Sequence, residues 1–411
     1  MRHASAAATT PGSPSSDADA ELPPSTPYSQ LTVGVPRETF PGERRVALSP
    51  ANVKLLLKKG FAKVLVQRGA GVEADFLDAA YAEAGATLVD DAESVWSSSD
   101  VILKVRGPSE AEVPLLKPSQ TLISFLQPAQ NKDLVDGIAS RGATTFAMDM
   151  VPRISRAQVF DALSSMANIA GYKAVLEASN SFGRYMTGQV TAAGKIPPCK
   201  VLVIGAGVAG LSAITTAKRL GAIVRGFDTR AAAREQVESL GGEFIEVDFE
   251  EEGSGAGGYA KEMSKEFIEA EMRLFTEQAK EVDIIITTAL IPGKPAPKLL
   301  PQYIVEAMKP GSVIVDLAAE AGGNCAVTQP GKLITHKEVK VIGMATSPHP
   351  LPNPPFRYSL PRKEANTLLL PRLHGSPLAP PDPVVNALLE QHHKAPALHG
   401  APRQGIRHRP H

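Results

Sequence analysis

Gly205, Gly207, Gly210 and Asp228 are the residues whose types and spacing point most directly to chemistry. The glycines form a G-x-G-x-x-G turn, and the acid follows 23 residues after Gly205. A turn of this kind alone is weak evidence. Here the context is complete, with CKVLVI before it as an apolar strand and VAGLSAITTAKRL after it as a helix. RGFD then ends a second strand in the acid. Each part has a task in holding a dinucleotide. Gly205 makes the tight turn, Gly207 lets backbone amides approach a diphosphate, and Gly210 lets the helix pack on the strand. The positive end of the helix dipole faces the phosphates. Asp228 can accept both hydroxyls of an adenosine ribose and repels a 2′-phosphate, which favours NAD(H). Arg230 could instead accommodate a 2′-phosphate, but Asp228 holds the strand-end position.

A second pattern lies in residues 153–172, RISRAQVFDALSSMANIAGY. At about 100° per residue, Val159, Ala162, Leu163, Met166, Ile169 and Ala170 share one arc of a helix. Gln158, Asp161, Ser164, Ser165 and Asn168 share the other. A solvated face usually carries Lys and Glu, whereas this one carries short polar groups and one acid. It is either ordinary helix surface or the wall of a cleft. The segment EEEGSGAGGYAKEMSKE (250–266) is glycine-rich enough to be a flap over a ligand or a plain surface insertion.

The elements that must position these residues alternate strand and helix. Strands are expected at 31–35, 63–67, 100–105, 121–126 and 144–148, with helices at 50–59, 76–84, 90–97 and 129–140. A continuous helical pattern covers 155–185. After the glycine turn, strands are expected at 243–247, 282–288, 312–317 and 340–343. This alternation implies an α/β fold of two Rossmann-like, doubly wound subdomains joined by a long crossing helix. The expected boundaries are a first subdomain over 31–154, the crossing helix over 155–185 and a nucleotide-binding subdomain over 186–343. ALIPGKPAP (289–297) and AAEAGGNCA (318–326) follow strands of the second half and should border its crevice.

Composition narrows the function. The 43 basic and 43 acidic residues balance, which gives no footprint for nucleic acid. Cys199 and Cys325 are the only thiols, too few for a metal cluster or a disulfide framework. No apolar run is long enough to span a bilayer. Residues 1–30 are rich in Ala, Ser and Pro, without periodicity, and are expected to be disordered, with a weak case for a targeting peptide because Arg2 is their only Lys or Arg and acids appear from Asp17. Residues 344–411 hold 14 of the 35 prolines and seven of the nine histidines, and a disordered tail is expected there too.

Seven stretches in order closely resemble the NAD(H)-binding domain of the proton-translocating NAD(P) transhydrogenase family. They are VPRETFPGERRVALSP, SFLQPAQN, PRISRAQVFDALSSMANIAGY, GAGVAG…FDTR, GGYAKEM, ITTALIPGKPAP and DLAAEAGGNC. The family is similar in fold to alanine dehydrogenase. The resemblance implies that Arg153, Gln158, Asp161 and Ser164 surround the nicotinamide ring. It implies that Arg156, Val208, the Asp228–Thr229–Arg230 turn, Gly258, Tyr259 and Leu290 contact the cofactor, with Tyr259 on a mobile loop. It further implies a homodimer, a partner domain carrying NADP(H) and a proton-translocating membrane domain. The matrix face of the mitochondrial inner membrane is the expected location, with a plastid or a bacterial cytoplasmic face as alternatives. The family continues after Gly343 into a helix that returns to the first subdomain. MATSPHPLPNPPFRYSL stands there instead, so reduced stability and weaker dimerisation are expected.

Two chemistries compete. Reduction of a keto acid needs a cation for the carboxylate and a proton donor, usually His. Lys104 could be the cation. Yet SFLQPA places Gln127 where the family's substrate histidine would lie, and His336 is the only histidine of residues 31–343. Glutamine cannot donate and recover a proton near neutral pH. Hydride transfer between two nicotinamides needs no acid or base, only two rings held close and dry. A third possibility is a nucleotide-binding module without chemistry of its own.

Overall fold

Short β-branched runs become parallel strands in the computed structural model, which describes residues 26–152, 154–192, 194–249, 251, 253, 263–290 and 295–344. The first half contains β1 (Thr32–Val35), β2 (Lys63–Gln67), β3 (Thr87–Val89), β4 (Val101–Arg106), β5 (Thr121–Phe125) and β6 (Thr144–Ala147). They form one sheet in the order β3-β2-β1-β4-β5-β6, with every pair parallel. Its helices are α1 (Pro50–Lys58), α2 (Asp78–Glu83), α3 (Ala92–Ser98) and α4 (Lys132–Ser140). The start of α1 follows its capping signal: Ser49 Oγ accepts from the Asn52 N–H at 3.4 Å, and Pro50 is the first helical residue.

The chain crosses through α5 (Ala162–Phe182) and a hairpin, β7 (Gln189–Thr191) with β8 (Gly194–Ile196). The second half contains β9 (Lys200–Ile204), β10 (Ile223–Phe227), β11 (Glu243–Phe244), β12 (Ile284–Thr287), β13 (Val313–Asp316), β14 (Leu333–His336) and β15 (Val339–Gly343). Its helices are α6 (Val208–Arg219), α7 (Ala233–Ser239), α8 (Lys265–Glu281) and α9 (Gln302–Glu306). The sheet order is β11-β10-β9-β12-β13-β15-β14, parallel except for the β14–β15 pair. Leaving that edge strand aside, both halves repeat one winding order. This is the α/β fold of two Rossmann-like halves that the strand–helix alternation implies. In each sheet the order reverses once, between β1 and β4 and between β9 and β12, and ligands bind at such points.

Several local expectations are corrected. The continuous helix over 155–185 is broken: residues Ser155–Phe160 are 3₁₀, and the α-helix begins only after Asp161. The break rotates Val159 off the apolar arc, and it is 59% exposed. Ordered structure starts earlier than the composition suggests, at Tyr28–Gln30, because the Tyr28 ring stacks on Phe61 at 4.8 Å. The tail beyond Met344 and residues 1–25 lie outside the described residues.

α5 belongs to two cores. Ala162 is buried in the first half's core, with Leu163 and Met166 packed against it. Further along, Ala174, Val175, Ala178 and Phe182 pack with Ala213, Ile214 and Ala217 of α6 and with β9 and β12. Burial of each large apolar side chain contributes roughly 1.5–3 kcal/mol. A helix anchored at both ends in this way fixes the polar residues of its first turn relative to α6.

Candidate functional site

Strand register assembles the second half's crevice. Phe227 pairs with Ile204 across β10 and β9, so the next residues, Asp228 and Gly205, stand side by side. The Gly205 N–H donates to Phe227 O at 2.8 Å, and the Ala206 N–H donates to Asp228 Oδ2 at 2.7 Å. On the other side Thr287 pairs with Ile204, which sets Thr288 against the turn. Thr288 Oγ1 donates to Gly205 O at 3.0 Å.

Two glycines are required by space. A Cβ on Gly210 would collide with the Gly205 carbonyl, and Gly205 adopts φ +98°. Gly207 and Val208 at the start of the 12-residue α6 are exposed, so its first amides are open to an anion. Leu290 is exposed beyond β12. These residues fit a dinucleotide: open amides for the diphosphate, a carboxylate at the strand end and an apolar edge. The Thr229 hydroxyl, buried without a partner among the described residues, adds an unused polar group beside them.

Asp228 is already engaged. Arg230 donates from Nε to Oδ1 and from Nη2 to Oδ2, both at 2.8 Å, and from its backbone N–H to Oδ1 at 2.9 Å. The hydrogen bonds it donates to Asp228, opposed by burial, raise the guanidinium's pKa above its ordinary value. The acid and the arginine that the sequence sets against each other as markers of NAD(H) and NADP(H) therefore form a single unit.

At the first half's reversal point buried charges pair with one another. Glu38 Oε1 accepts from the Val105 N–H at 2.6 Å. Lys104, only 1% exposed, lies 2.9 Å from Glu112 Oε1 and 3.6 Å from Glu38 Oε2. Glu43 is clamped by Arg45 Nη2 at 2.6 Å and Arg106 Nε at 2.9 Å. Burial works against the Glu43 charge, but the hydrogen bonds and charge of Arg45, with Arg106, outweigh it and hold the carboxyl below its ordinary range. For Glu38 burial prevails over Lys104 and lifts the carboxyl. Gln127 follows β5 with φ +49°, and Asp149 anchors the backbone N–H groups of Leu126 and Gln127 at 2.8 Å each.

The other expected site residues divide. Asp161 caps α5, accepting from the Ser164 N–H at 2.9 Å and the Ser164 hydroxyl at 2.7 Å. The two are thus held together, half-buried. Arg156 and Gln158 are exposed on the preceding 3₁₀ segment, and no side-chain hydrogen bond among the described residues joins them to the glycine turn. Arg153, Gly258 and Tyr259 lie outside the described residues. Sequence reasoning missed Thr288, although a hydroxyl directly after a strand beside a glycine turn was a usable signal. It also missed Glu38, Glu43, Arg45 and Arg106 as a unit, because their contacts span up to 68 positions.

Comparison with known proteins follows the same division. Residues 34–170 match the alanine dehydrogenase/PNT N-terminal domain and residues 174–354 match the C-terminal domain of that family. NAD(P) transhydrogenase subunit alpha of Haemophilus influenzae is 55% identical over 323 residues, covering 78% of this chain and 62% of the relative. NAD(P) transhydrogenase subunit alpha of Cereibacter sphaeroides is 55% identical over 321 residues, covering 77% of this chain and 61% of the relative. The chain thus spans about six-tenths of the length of these two relatives. The solved transhydrogenase from Sinorhizobium meliloti superposes with a TM-score of 0.71 at 40% identity, covering 82% of this chain and 89% of that one.

Proposed function

The chain belongs to the alanine dehydrogenase/PNT family, and on that premise we propose that it is the NAD(H)-binding component of a proton-translocating NAD(P) transhydrogenase. In this reading hydride passes from NADH on this chain to NADP⁺ held by a partner domain. The observation that carries it is the contrast between the two reversal points. In the second half Gly207 and Val208, at the start of α6, are exposed, and the Ala206 N–H before them donates to Asp228. In the first half Lys104 and Arg106 are committed to Glu38, Glu112 and Glu43. A keto-acid reductase needs a cation and a proton donor at the first half's point. Here the lysine is buried between two carboxylates and Gln127 replaces the donor.

Bound dihydronicotinamide supplies the hydride at its C4. The chain's own residues need only bind, orient and exclude water. Gly205, Gly207, Val208 and Gly210 receive the diphosphate, and Asp228, with Thr229 and Arg230, receives the adenosine ribose. The family resemblance assigns nucleotide contacts to Leu290, Gly258 and Tyr259 as well. The resemblance assigns the nicotinamide end to Arg153, Gln158, Asp161 and Ser164, and a cofactor contact to Arg156; Asp161 and Ser164 are hydrogen-bonded in the cap of α5. No residue is required to move a proton.

The proposed partners are the NADP(H)-binding domain, the proton-translocating membrane domain and a second copy of this chain. No helix among the described residues is long and apolar enough to cross a membrane. The cited relatives are bacterial and lend no support to the mitochondrial location expected from the sequence. The subdomain boundaries 31–154 and 186–343, with α5 between them, are part of the same proposal.

The test mixes the full chain and NADH with pyruvate and ammonium, and separately with NADP⁺ loaded on a bacterial transhydrogenase NADP(H)-binding domain. Oxidation in the second mixture alone supports the reading. Oxidation with pyruvate makes the chain an alanine dehydrogenase, and oxidation in neither makes it a binding module.

A further inference from the structure

α5 and α6 touch where no side chain fits between them. A Cβ built on Gly171 would overlap the Ala209 carbonyl oxygen, lie 2.8 Å from its carbonyl carbon and stand 3.0 Å from Ser212 Cβ. The obstacle is backbone, which cannot swing aside as a side chain can. The Ser212 hydroxyl donates to Asn168 O at 2.7 Å, one helical turn from the same contact. Glycine in a helix interior weakens the helix relative to alanine. Gly171 lies in the middle of the 21-residue α5 and is buried, so close approach is the physical reason for it.

The contact joins the two ends of the proposed cofactor site. Ala209 is the second residue of α6, directly after the exposed Gly207 and Val208. Seven residues before Gly171 stands Ser164, bonded to Asp161, which along a helix is about 10 Å. We propose that Gly171, pinned by the Ser212–Asn168 hydrogen bond, is a positioning residue that sets the spacing between the diphosphate turn and the nicotinamide end of the cleft. The inference rests on the cofactor reading above. A spacer of this kind governs the rate of hydride transfer more than the affinity for NADH. The phosphates and ribose bind on the second half wherever α5 stands, whereas the ring must present its C4 to an acceptor on another domain.

The experiment uses the full chain, with Gly171→Ala and Ser212→Ala as variants. NADH affinity is measured by calorimetry. Transfer is measured in single turnovers, in which the C4–H bond of NADH breaks, a C4–H bond forms on domain-bound NADP⁺ and the electron pair moves with the hydrogen. Gly171→Ala forces the helices apart by about 1 Å, and a displacement of that size slows transfer about 100-fold. Ser212→Ala removes the pin without adding bulk and slows transfer about threefold. Both variants should bind NADH within about threefold of the parent, the split expected when orientation alone is lost. Unchanged transfer in a folded Gly171→Ala chain overturns the proposal, as does an equal loss of affinity and rate. If Gly171→Ala does not fold by circular dichroism, Ser212→Ala decides: parental transfer overturns the proposal, and slower transfer at parental affinity supports it. Failure of the parent itself to bind NADH removes the cofactor reading and this inference with it. A normal parent with unaffected variants removes this inference alone.

Discussion

Arg230 grips Asp228 through both carboxylate oxygens, with its Nε and Nη2 each at 2.8 Å. In the proposed cofactor reading the ribose shares that carboxylate with the guanidinium, and the acid repels a 2′-phosphate. Selectivity then depends on the charge of residue 228. Asp228→Asn retains one acceptor oxygen, and Arg230 keeps its place in the turn. The preference for NADH over NADPH should fall about tenfold or more, since 1.4 kcal/mol of lost repulsion corresponds to that factor. Dissociation constants for the two nucleotides, measured side by side, check this. An unchanged ratio would mean that Asp228 does not face the ribose.

At the other end of the cleft, capping and charge can be separated. Asp161 accepts from the Ser164 N–H and hydroxyl and starts α5. Asp161→Ala should destabilise the chain by about 1 kcal/mol through loss of the cap. Asp161→Asn keeps a good cap and should unfold within about 0.5 kcal/mol of the parent in urea. If Asp161 orients the ring through its charge, both variants slow hydride transfer. A normal rate in Asp161→Asn would leave the residue a helix cap and nothing more.

The glycine turn was legible because its signals are local: strand, turn, helix and acid fall within one short stretch, and register does the rest. The winding of both sheets followed from the same alternation. The polar arc was only partly legible, because helical periodicity carries no information on whether Asp161 continues a helix or starts one. Side-chain capping decided that, and it moved Gln158 and Val159 onto a separate 3₁₀ segment. The charge network of the first half was not legible at all. Glu43 and Arg106 are 63 positions apart, and only the closing of the β1–β4 pair brings them together. The pairing of Asp228 with Arg230 was hidden for another reason, since side-chain conformation decides whether neighbouring opposite charges meet.

Glu271 gives the chain a pH dependence of its own. It lies among Phe267, Ala270 and Phe275 on the buried face of α8, 5% exposed. Burial pushes its carboxyl up to about 7 from 4.5. A folded-state pKa above the unfolded one means that the folded chain holds the proton more tightly, so stability falls as pH rises from about 4.5 to about 7 and levels off above. The lift corresponds to roughly 3 kcal/mol as an upper bound. Glu271→Gln should remove that slope and unfold at higher denaturant than the parent at pH 8, with little difference at pH 4.5. Parallel urea midpoints for parent and variant across this range would show that Glu271 ionises at no cost.

Lys104 separates the structural and catalytic readings of the first half. Its ammonium is 2.9 Å from Glu112 and 3.6 Å from Glu38, and all three side chains are nearly inaccessible. Removing one member of a buried ionic group leaves the others uncompensated, at a cost of about 3–5 kcal/mol. Lys104→Met keeps the side chain out to its Cε and loses the ammonium. It should lower the urea midpoint sharply while leaving NADH affinity of the folded fraction unchanged, because Lys104 is in the first half and the diphosphate turn is in the second. Replacing all three by Met, Gln and Gln should recover part of the loss, since the carboxylates then no longer need a counter-ion. A keto-acid reductase predicts the opposite pattern, with stability near that of the parent and pyruvate-dependent oxidation of NADH abolished. Urea titration of the single and triple variants, alongside the pyruvate assay on the parent, separates the two. A midpoint for Lys104→Met equal to the parent's would show that the ammonium does not compensate these carboxylates and would return the lysine to the pool of substrate-binding groups.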